Sequence, residues 1–319
     1  MEEPNKIERD PPRLITITQN NDGQRIDNFL LSELKGVPKS HIYRLLRKGQ
    51  FRVNKGRIKP VYRLKIGDIV RIPPMQTRQQ QASAAPSESL RRLLEQRIIH
   101  EDDAMIILNK PSGIAVHAGS GVDIGVIEAM RSIRPELEDL SLVHRLDRAT
   151  SGCLLLAKNR KALLSLQQQL GGEGMEKRYQ TLLKGHWLNK DEWSVDEPLL
   201  RSQLQSGERM VQVSPQGKAA YSCFRIIDYL RNSVLAEVLI TTGRTHQIRV
   251  HAAFIEHPVA GDEKYGCPEF NLEMRQYGLK RMFLHASSLI IKHPVTGKTL
   301  PVSADLDDDM KAVLNALGR

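Results

Sequence analysis

The chain has 319 residues, of which 40% are hydrophobic and 26% are charged, an ordinary composition for a globular protein. This length is sufficient for two domains, one of them with a sizeable core. No apolar run approaches the roughly 18 residues that a membrane span needs, and residues 1–13 lack the apolar stretch of a secretory signal. We therefore expect a cytoplasmic protein without a membrane span.

The cysteines and histidines do not form a metal-binding or disulfide pattern. Cys153, Cys223 and Cys267 are widely separated and odd in number, which favours a reducing compartment. His246 and His251 are five positions apart, whereas two ligands on one helix face are about four apart. We predict no metal site.

The positive charge is concentrated in one segment. The net charge is +10, and residues 22–74 contain 13 Lys or Arg but only four Asp or Glu. Such a local excess is typical of a nucleic-acid-binding module. The alternative is a solvated basic face without a partner.

Residues 1–21 are predicted to be an N-terminal extension with a short strand at 14–18. Residues 22–74 then read as a small α+β unit with two amphipathic helices. Its cations fall on the outer face of the second helix, residues 39–48, and around a hairpin turn at 54–56. The cations expected to bind nucleic acid are Arg44, Arg47, Lys48, Lys55 and Arg57.

The basic unit resembles the S4 RNA-binding domain. The match comprises R-I-D-x-F-L at 25–30, R-K-G at 47–49, V-N-K-G at 53–56 and G-D-x-V at 67–70. This resemblance implies that the second helix and the turn bind structured RNA. Cations on a helix face can bind phosphates without reading the base sequence.

Two further segments follow the basic unit. Residues 75–88 lack periodicity and are rich in Gln, Ala and Ser, which predicts a flexible linker. Residues 89–319 contain short strands in hairpin order with scattered helices, which predicts an α+β fold on a large antiparallel or mixed sheet. Neither G-x-G-x-x-G nor G-x-x-x-x-G-K-[ST] occurs, so nucleotide-cofactor folds are disfavoured.

The sequence H-R-L-D-R-A-T-S-G at 144–152 places an acid between two arginines. The apolar run 153–157 that follows predicts a buried strand. A carboxylate at the entrance of a buried strand must be satisfied by its neighbours. The segment is therefore either a structural ion pair or an active site.

Two other stretches carry chemistry. E-K-R-Y at 176–179 places two basic residues directly before Tyr179, which is predicted to start a strand. In T-G-R-T-H-Q-I-R-V-H at 242–251, Thr245 is predicted to cap a short helix. A helix start rich in arginine suits an anion, either a phosphate or a carboxylate of the protein.

These motifs together resemble the RluA family of pseudouridine synthases. The resemblance covers nearly all of residues 89–305, and with the S4 segment it looks like the large-subunit ribosomal RNA enzymes of the family. The matching motifs are N-K-P-x-G at 109–113, H-R-L-D-x-x-T-S-G at 144–152, K-x-Y at 177–179, G-R-T-H-Q-I-R-V-H at 243–251 and G-D-x-x-Y-G at 261–266. Further similarity lies in L-K-G-V-P-K-S at 34–40, R-V-N-K-G-R-I-K-P at 52–60 and L-Q-S-G-E-R at 204–209.

The resemblance implies isomerisation of uridine to pseudouridine, which oxidises nothing and requires no cofactor. It implies that Asp147 is the nucleophile, that Arg249 pairs with it and keeps it ionised, and that Tyr179 stacks on the target base. Arg145 would displace the base or fill its gap. A hydrolytic glycosidase normally uses two carboxylates, and only one lies in these motifs, which favours isomerisation.

Three residues are further candidates for RNA contact: Lys110, Arg244 and His144. For the two cations simple surface charge is the alternative, and for His144 it is an orienting hydrogen bond. The expected partner is 23S ribosomal RNA or a large-subunit assembly intermediate, bound by a monomer. Two other interpretations are a non-catalytic RNA-binding or ribosome-assembly factor, and a transfer-RNA pseudouridine synthase.

Overall fold

A computed structural model describes residues 12–34, 37–74, 85–119, 124–172, 174–187, 191–203 and 209–318. The chain separates into two compact units, Met1–Ala85 and Pro86–Arg319. Parts of the predicted extension (1–11), of the predicted linker (75–84) and of the L-Q-S-G-E-R stretch (204–208) lie outside the described residues.

The first unit combines two helices with a small antiparallel sheet. Its elements are β1 (Arg13–Thr16), a 3₁₀ turn (Gln19–Asn21), α1 (Ile26–Glu33), α2 (Lys39–Arg47), β2 (Arg52–Val53), β3 (Gly56–Arg57) and β4 (Ile69–Ile72). The strand order is β1-β4-β2-β3. Both helices bury an apolar face in one core, as their spacing predicts.

The hairpin turn between β2 and β3 is held rigidly. Asn54 and Lys55 have φ values of 49° and 67°, the left-handed region that tight hairpin turns require. The buried Asp68 carboxylate accepts hydrogen bonds from the Asn54 amide at 2.8 Å and from the Tyr62 hydroxyl at 2.9 Å. The turn therefore presents its cations from a fixed backbone.

The second unit contains the remaining 18 helices and strands that the structure describes. They are α3 (Glu88–Gln96), β5 (Ile98–Glu101), β6 (Met105–Lys110), α4 (Val126–Ile133), β7 (Ser141–Leu142), β8 (Ser151–Ala157), α5 (Arg160–Gly171), β9 (Met175–Lys184), β10 (Glu192–Asp196), β11 (Leu199–Gln203), β12 (Arg209–Val213), β13 (Tyr221–Leu230), β14 (Ser233–Ile240), α6 (Gln247–Phe254), α7 (Pro268–Gln276), β15 (Leu284–Lys292), β16 (Thr299–Ser303) and α8 (Asp308–Leu317).

One large mixed sheet organises this unit. Its order is β10-β13-β14-β9-β15-β8-β6-β5, with β16 beside β15 and β7 beside β8. Only the β15–β8 pair is parallel among the described strands, and β11 and β12 form a separate hairpin. The predicted α+β class is confirmed.

The centre of the sheet is fully buried. Every residue of β6 and β8 is buried, so the loops at their ends start from a rigid base. Within the described ranges, no helix has both the length and the apolar composition to cross a membrane.

Candidate active site

The segment between β7 and β8 holds Asp147 at the entrance of the buried sheet. The Thr150 amide donates to the Asp147 carbonyl at 3.1 Å, which closes a turn around the acid. Gly152 has a φ of 106°, and a Cβ there would lie 2.2 Å from the Ala286 carbonyl oxygen of the parallel strand. Only glycine fits at this position, which explains the last residue of the motif.

The N-K-P-x-G turn clamps this loop from one side. The Gly113 amide donates to the Arg148 carbonyl at 2.8 Å, and the Arg148 Nε donates back to the Gly113 carbonyl at 2.8 Å. The Ser112 hydroxyl donates to the Ala149 carbonyl at 2.7 Å. The two motifs therefore form one rigid unit, although they are separated in the chain.

Lys110 is an internal part of this clamp. Its side chain is fully buried, and its ammonium donates to the carbonyls of Pro111 and Ile114 at 2.9 Å and of Arg148 at 3.3 Å. Burial lowers the pKa of Lys110 to about 7, against the opposing effect of the Asp147 charge. The predicted phosphate contact of Lys110 does not agree with this geometry, because a phosphate has no access to the ammonium.

The His144 side chain is also hydrogen-bonded to the protein backbone. Its Nε2 accepts a hydrogen bond from the Leu155 amide at 3.1 Å, which fixes the start of the loop to β8. Burial, with the charge of Lys177, lowers the pKa of His144 to about 4. The imidazole therefore orients the loop as a neutral acceptor, and this geometry offers no support for an RNA contact.

An open cavity lies beside Asp147. Residues from β9, the loop before α6 and α6 itself meet there. Its polar and aromatic lining includes Arg145, Asp147, Tyr179, Arg244, His246 and Arg249. Three motifs that are distant in the sequence therefore converge on one carboxylate.

The Asp147 carboxylate is flanked by two donors without being bound by either. Its Oδ2 lies 3.7 Å from Arg249 Nη1 and 3.8 Å from His246 Nε2, both beyond hydrogen-bond distance. No group in the described part of the chain donates a hydrogen bond to this carboxylate. The described residues therefore leave its lone pairs unoccupied.

The principal partner of Arg249 is Asp262. The guanidinium donates to both carboxylate oxygens, through Nε at 2.7 Å and Nη2 at 2.8 Å, and lies 5.0 Å from the Tyr265 ring centre. Burial would raise the pKa of Asp262, but the hydrogen bonds and charge of Arg249 outweigh it and lower that pKa. The expected pairing with Asp147 is thus a looser second contact of a guanidinium fixed elsewhere.

The start of α6 differs from the prediction that Thr245 caps it. The capping position is occupied by His246, in the left-handed region with a φ of 55°. No side chain of the described residues caps this helix. The Gln247 carbonyl oxygen instead accepts from the Arg244 amide at 3.0 Å and from the Thr242 hydroxyl at 2.7 Å, which holds the loop before α6. The His246 ring lies beside Asp147.

The other predicted residues line the cavity wall. Tyr179 is buried on β9, and burial together with the Asp147 charge raises its pKa. Arg145 is exposed, and its guanidinium has no ion-pair partner among the described residues. The Arg244 Nε donates to the Ala219 carbonyl at 3.0 Å, so only part of its guanidinium is free to bind a ligand.

The predicted cations of the first unit are all exposed, on α2, directly after it and in the β2–β3 hairpin. They are Arg44, Arg47, Lys48, Lys55 and Arg57. Arg44 Nη2 lies 2.9 Å from His41 Nδ1.

Comparisons with known proteins identify a family match in each of the two units. The RNA pseudouridylate synthase family profile matches residues 104–254, and the S4 domain profile matches residues 24–70. Ribosomal large subunit pseudouridine synthase C of Haemophilus influenzae is 51% identical, over 98% of this chain and 97% of its own length. The enzyme of that name from Escherichia coli K12 is 48% identical over 98% of each chain.

The chain belongs to the RNA pseudouridylate synthase family. The predicted family and the S4 segment are thereby confirmed. The structure of human RNA pseudouridylate synthase domain containing 4 has the same fold, with a TM-score of 0.60 at 24% identity over 72% of this chain and 95% of that one.

This pseudouridine synthase has a second open cavity along the motif loop. Arg249 lines both cavities, whereas Arg148 faces only the second. Arg275 and Lys280 also line it. The sequence did not indicate this basic cavity, because its cations come from separate segments.

Sequence reasoning assigned no role to His246, Asp262 or Tyr265, although all three stand in family motifs. The acid in G-D-x-x-Y-G at 261–266 could have predicted a partner for Arg249. An acid in a glycine-flanked turn, downstream of an arginine-rich helix, can satisfy a buried guanidinium.

Replacing Lys110 by Met is expected to destabilise the second unit by at least about 1–3 kcal/mol, because buried carbonyls lose their donor. Both tryptophans of the chain, Trp187 and Trp193, lie in this unit, so denaturation followed by fluorescence reports on it. The exposed Lys161 supplies the matched control Lys161→Met. Unchanged stability of Lys110→Met with a weaker salt dependence of RNA binding would restore the phosphate-contact interpretation.

Proposed function

We propose that this enzyme converts specific uridines of 23S ribosomal RNA to pseudouridine. The observation that carries the proposal is the 48–51% identity, over 98% of the chain, to relatives named ribosomal large subunit pseudouridine synthase C. The cavity around Asp147 supports the same chemistry, since it presents one anionic carboxylate without a second one that hydrolysis would normally use.

The proposed reaction is balanced within the nucleotide. The C1′–N1 bond breaks, the uracil turns, C5 joins C1′, and the proton of C5 is lost as N1 gains one. Asp147 either attacks C1′ or removes a proton from the sugar, and both routes need an ionised carboxylate with a free lone pair. The absence of a hydrogen bond to Asp147 from any described residue supports this role.

The target uridine must leave its stack to reach Asp147, at a cost of a few kcal/mol. We assign Tyr179 to stacking on the flipped base, supported by its position in the cavity wall. We assign Arg145 to displacing the base or filling the gap, supported by its exposed guanidinium without a described partner. Arg249 acts in this scheme by pairing with Asp147, supported by the 3.7 Å distance between Arg249 Nη1 and Asp147 Oδ2.

We propose that residues 22–74 act as an RNA-binding domain, joined by the linker 75–88 to the catalytic domain 89–319. The match of residues 24–70 to the S4 family supports this division. Arg44 and Arg244 are assigned to phosphate contacts on the two domains. The enzyme is expected to act in the cytoplasm as a monomer, and the reaction is redox-neutral and needs no cofactor.

Neutralising three cations of the first unit is expected to weaken RNA binding and flatten its salt dependence. For Arg47→Gln, Lys48→Gln and Lys55→Gln combined, the slope of log K for RNA binding against log salt concentration should become less steep by up to about 2–3. Each lost phosphate contact removes about 0.7–0.9 from the magnitude of the slope. Filter binding to a 23S fragment measures this. The matched control changes three exposed lysines of the second unit, Lys161, Lys298 and Lys311, to Gln. A slope equal to the wild-type slope would remove the first unit from the binding surface.

Separate assays on 23S transcripts and on transfer RNA test the substrate. The proposal predicts pseudouridine in 23S RNA only. Modification confined to transfer RNA would contradict the substrate but leave the isomerase activity intact.

A further inference from the structure

A chain of polar contacts runs from the β11–β12 hairpin to the active-site carboxylate. The Val211 amide donates to the Tyr265 hydroxyl oxygen at 3.1 Å. The same hydroxyl lies 2.8 Å from His246 Nδ1, and His246 Nε2 faces Asp147 Oδ2 at 3.8 Å. His246 is thus the link between a fixed tyrosine and the acid.

The direction of these contacts decides which ring nitrogen of His246 carries the proton. Because the Tyr265 oxygen already accepts from a backbone amide, its single hydrogen is available for His246 Nδ1. A neutral imidazole has one donor and one acceptor nitrogen. With Nδ1 as the acceptor, Nε2 bears the hydrogen, and that hydrogen points at the carboxylate.

The charges around His246 are consistent with a neutral ring. Burial lowers its pKa, and the charges of Arg249 and Lys264 act in the same direction. Asp147 and Asp262 act in the opposite direction but do not reverse the shift. An unprotonated Nε2 would place a lone pair against the carboxylate, which is unfavourable.

The backbone of His246 is held in a costly conformation. A non-glycine residue with a φ of 55° is strained and persists only where its surroundings fix it. The hairpin supplies part of that fixation, because Arg201 Nη2 donates to the Thr245 hydroxyl at 3.1 Å. Hairpin contacts therefore reach both sides of His246, at Thr245 and at Tyr265.

We propose that His246 is a positioning residue for Asp147, held by Tyr265 as the tautomer with its hydrogen on Nε2. When RNA enters the cavity, Nε2 donates to Asp147 Oδ2, and Oδ1 is left to react at the sugar. This inference rests on the proposed function, in which Asp147 is the reacting group.

The present 3.8 Å separation fits this role. It must shorten by roughly 1 Å to become a hydrogen bond, and such contacts are often long before substrate binds. Until then the carboxylate keeps its lone pairs free.

The test compares two amide replacements of His246 that reach different distances. Glutamine extends its amide to the region of Nε2, whereas asparagine ends near Nδ1 and tolerates the left-handed backbone. The single-turnover rate constant on a 23S fragment should fall about 10- to 100-fold in His246→Asn, the range for one hydrogen bond to a charged group. His246→Gln should recover most of this loss, and the dissociation constant for RNA should not change in either variant.

Tyr265→Phe isolates the hydroxyl, since it keeps the ring beside Arg249. Nitrogen NMR of the wild-type His246 ring should show the hydrogen on Nε2, and Tyr265→Phe should show mixed tautomers with a smaller loss of rate. The matched control is Tyr229→Phe, which removes a half-exposed hydroxyl bonded to the Trp187 carbonyl.

A wild-type rate in His246→Asn, or a hydrogen on Nδ1 in the wild type, would overturn the inference. Equal rate losses in the Asn and Gln variants would also contradict it. If Asp147→Asn itself kept full activity, the proposed function would fail instead, so the two failures are distinguishable.

Discussion

Asp147→Asn is expected to reduce pseudouridine formation by at least about 10⁴-fold, because both chemical routes need a carboxylate anion. The substitution should leave the fold intact. No described residue donates a hydrogen bond to Asp147, and Arg249 keeps Asp262 as its partner at 2.7 Å. Loss of this carboxylate therefore leaves no buried charge unpaired.

Single-turnover assays on a 23S fragment measure this effect, with denaturation and RNA binding as parallel readouts. The control Asp228→Asn removes an exposed carboxylate from β13 of the same unit and should retain the wild-type rate. An inactive Asp147→Asn that also unfolds would point to a structural ion pair instead of a reacting acid.

Asp262→Asn is expected to destabilise the second unit by about 3–5 kcal/mol, because the buried Arg249 guanidinium loses the carboxylate to which it is hydrogen-bonded. The Asp262 carboxylate also accepts from the amides of Lys264 at 2.9 Å and Tyr265 at 3.1 Å. Activity should fall with stability, since Arg249 and Tyr265 are both fixed by this acid. Urea denaturation followed by tryptophan fluorescence measures the loss.

The difference in unfolding free energy between the wild type and Asp262→Asn should depend on pH. Its direction follows from the shift in the pKa of Asp262. Because the pKa of Asp262 is lowered in the folded state from 3.8, its contribution is complete above pH 3.8 and is lost as the pH falls through the folded pKa. The difference in unfolding free energy between the wild type and Asp262→Asn should be constant near neutral pH and should decrease in acid. Glu263→Gln, at an exposed neighbour whose carboxylate lies 3.7 Å from Arg275, should show no measurable loss; a comparable loss there would refute the burial argument.

The sequence was most informative where local periodicity and turn chemistry act alone. Helical spacing predicted α1 and α2, and the buried strand after the motif is β8, which begins at Ser151. The helices α7 and α8 were not predicted, because their apolar faces are short and are completed only by packing with Leu182, Leu230 and Leu235 of the sheet. The β11–β12 hairpin was missed because its strands alternate weakly and form a sheet separate from the large one.

At the site, residue types were easier to predict than their partners. Arg249 was expected beside an acid, but two acids are available, and only the tertiary structure shows that Asp262 is the bidentate partner. Lys110 resembles a surface cation in the sequence, yet it is the last residue of a buried strand. The apolar run from Met105 to Leu108, just before Lys110 in the same strand, indicates that the Lys110 side chain enters the core.

The most direct test of the central claim maps pseudouridines in RNA from cells that lack this protein. The cells would then express either the wild type or Asp147→Asn. We expect specific pseudouridines of 23S RNA to disappear on deletion, to return with the wild type and to stay absent with Asp147→Asn. Restoration of these sites by Asp147→Asn, or 23S RNA that is unchanged by the deletion, would contradict the account.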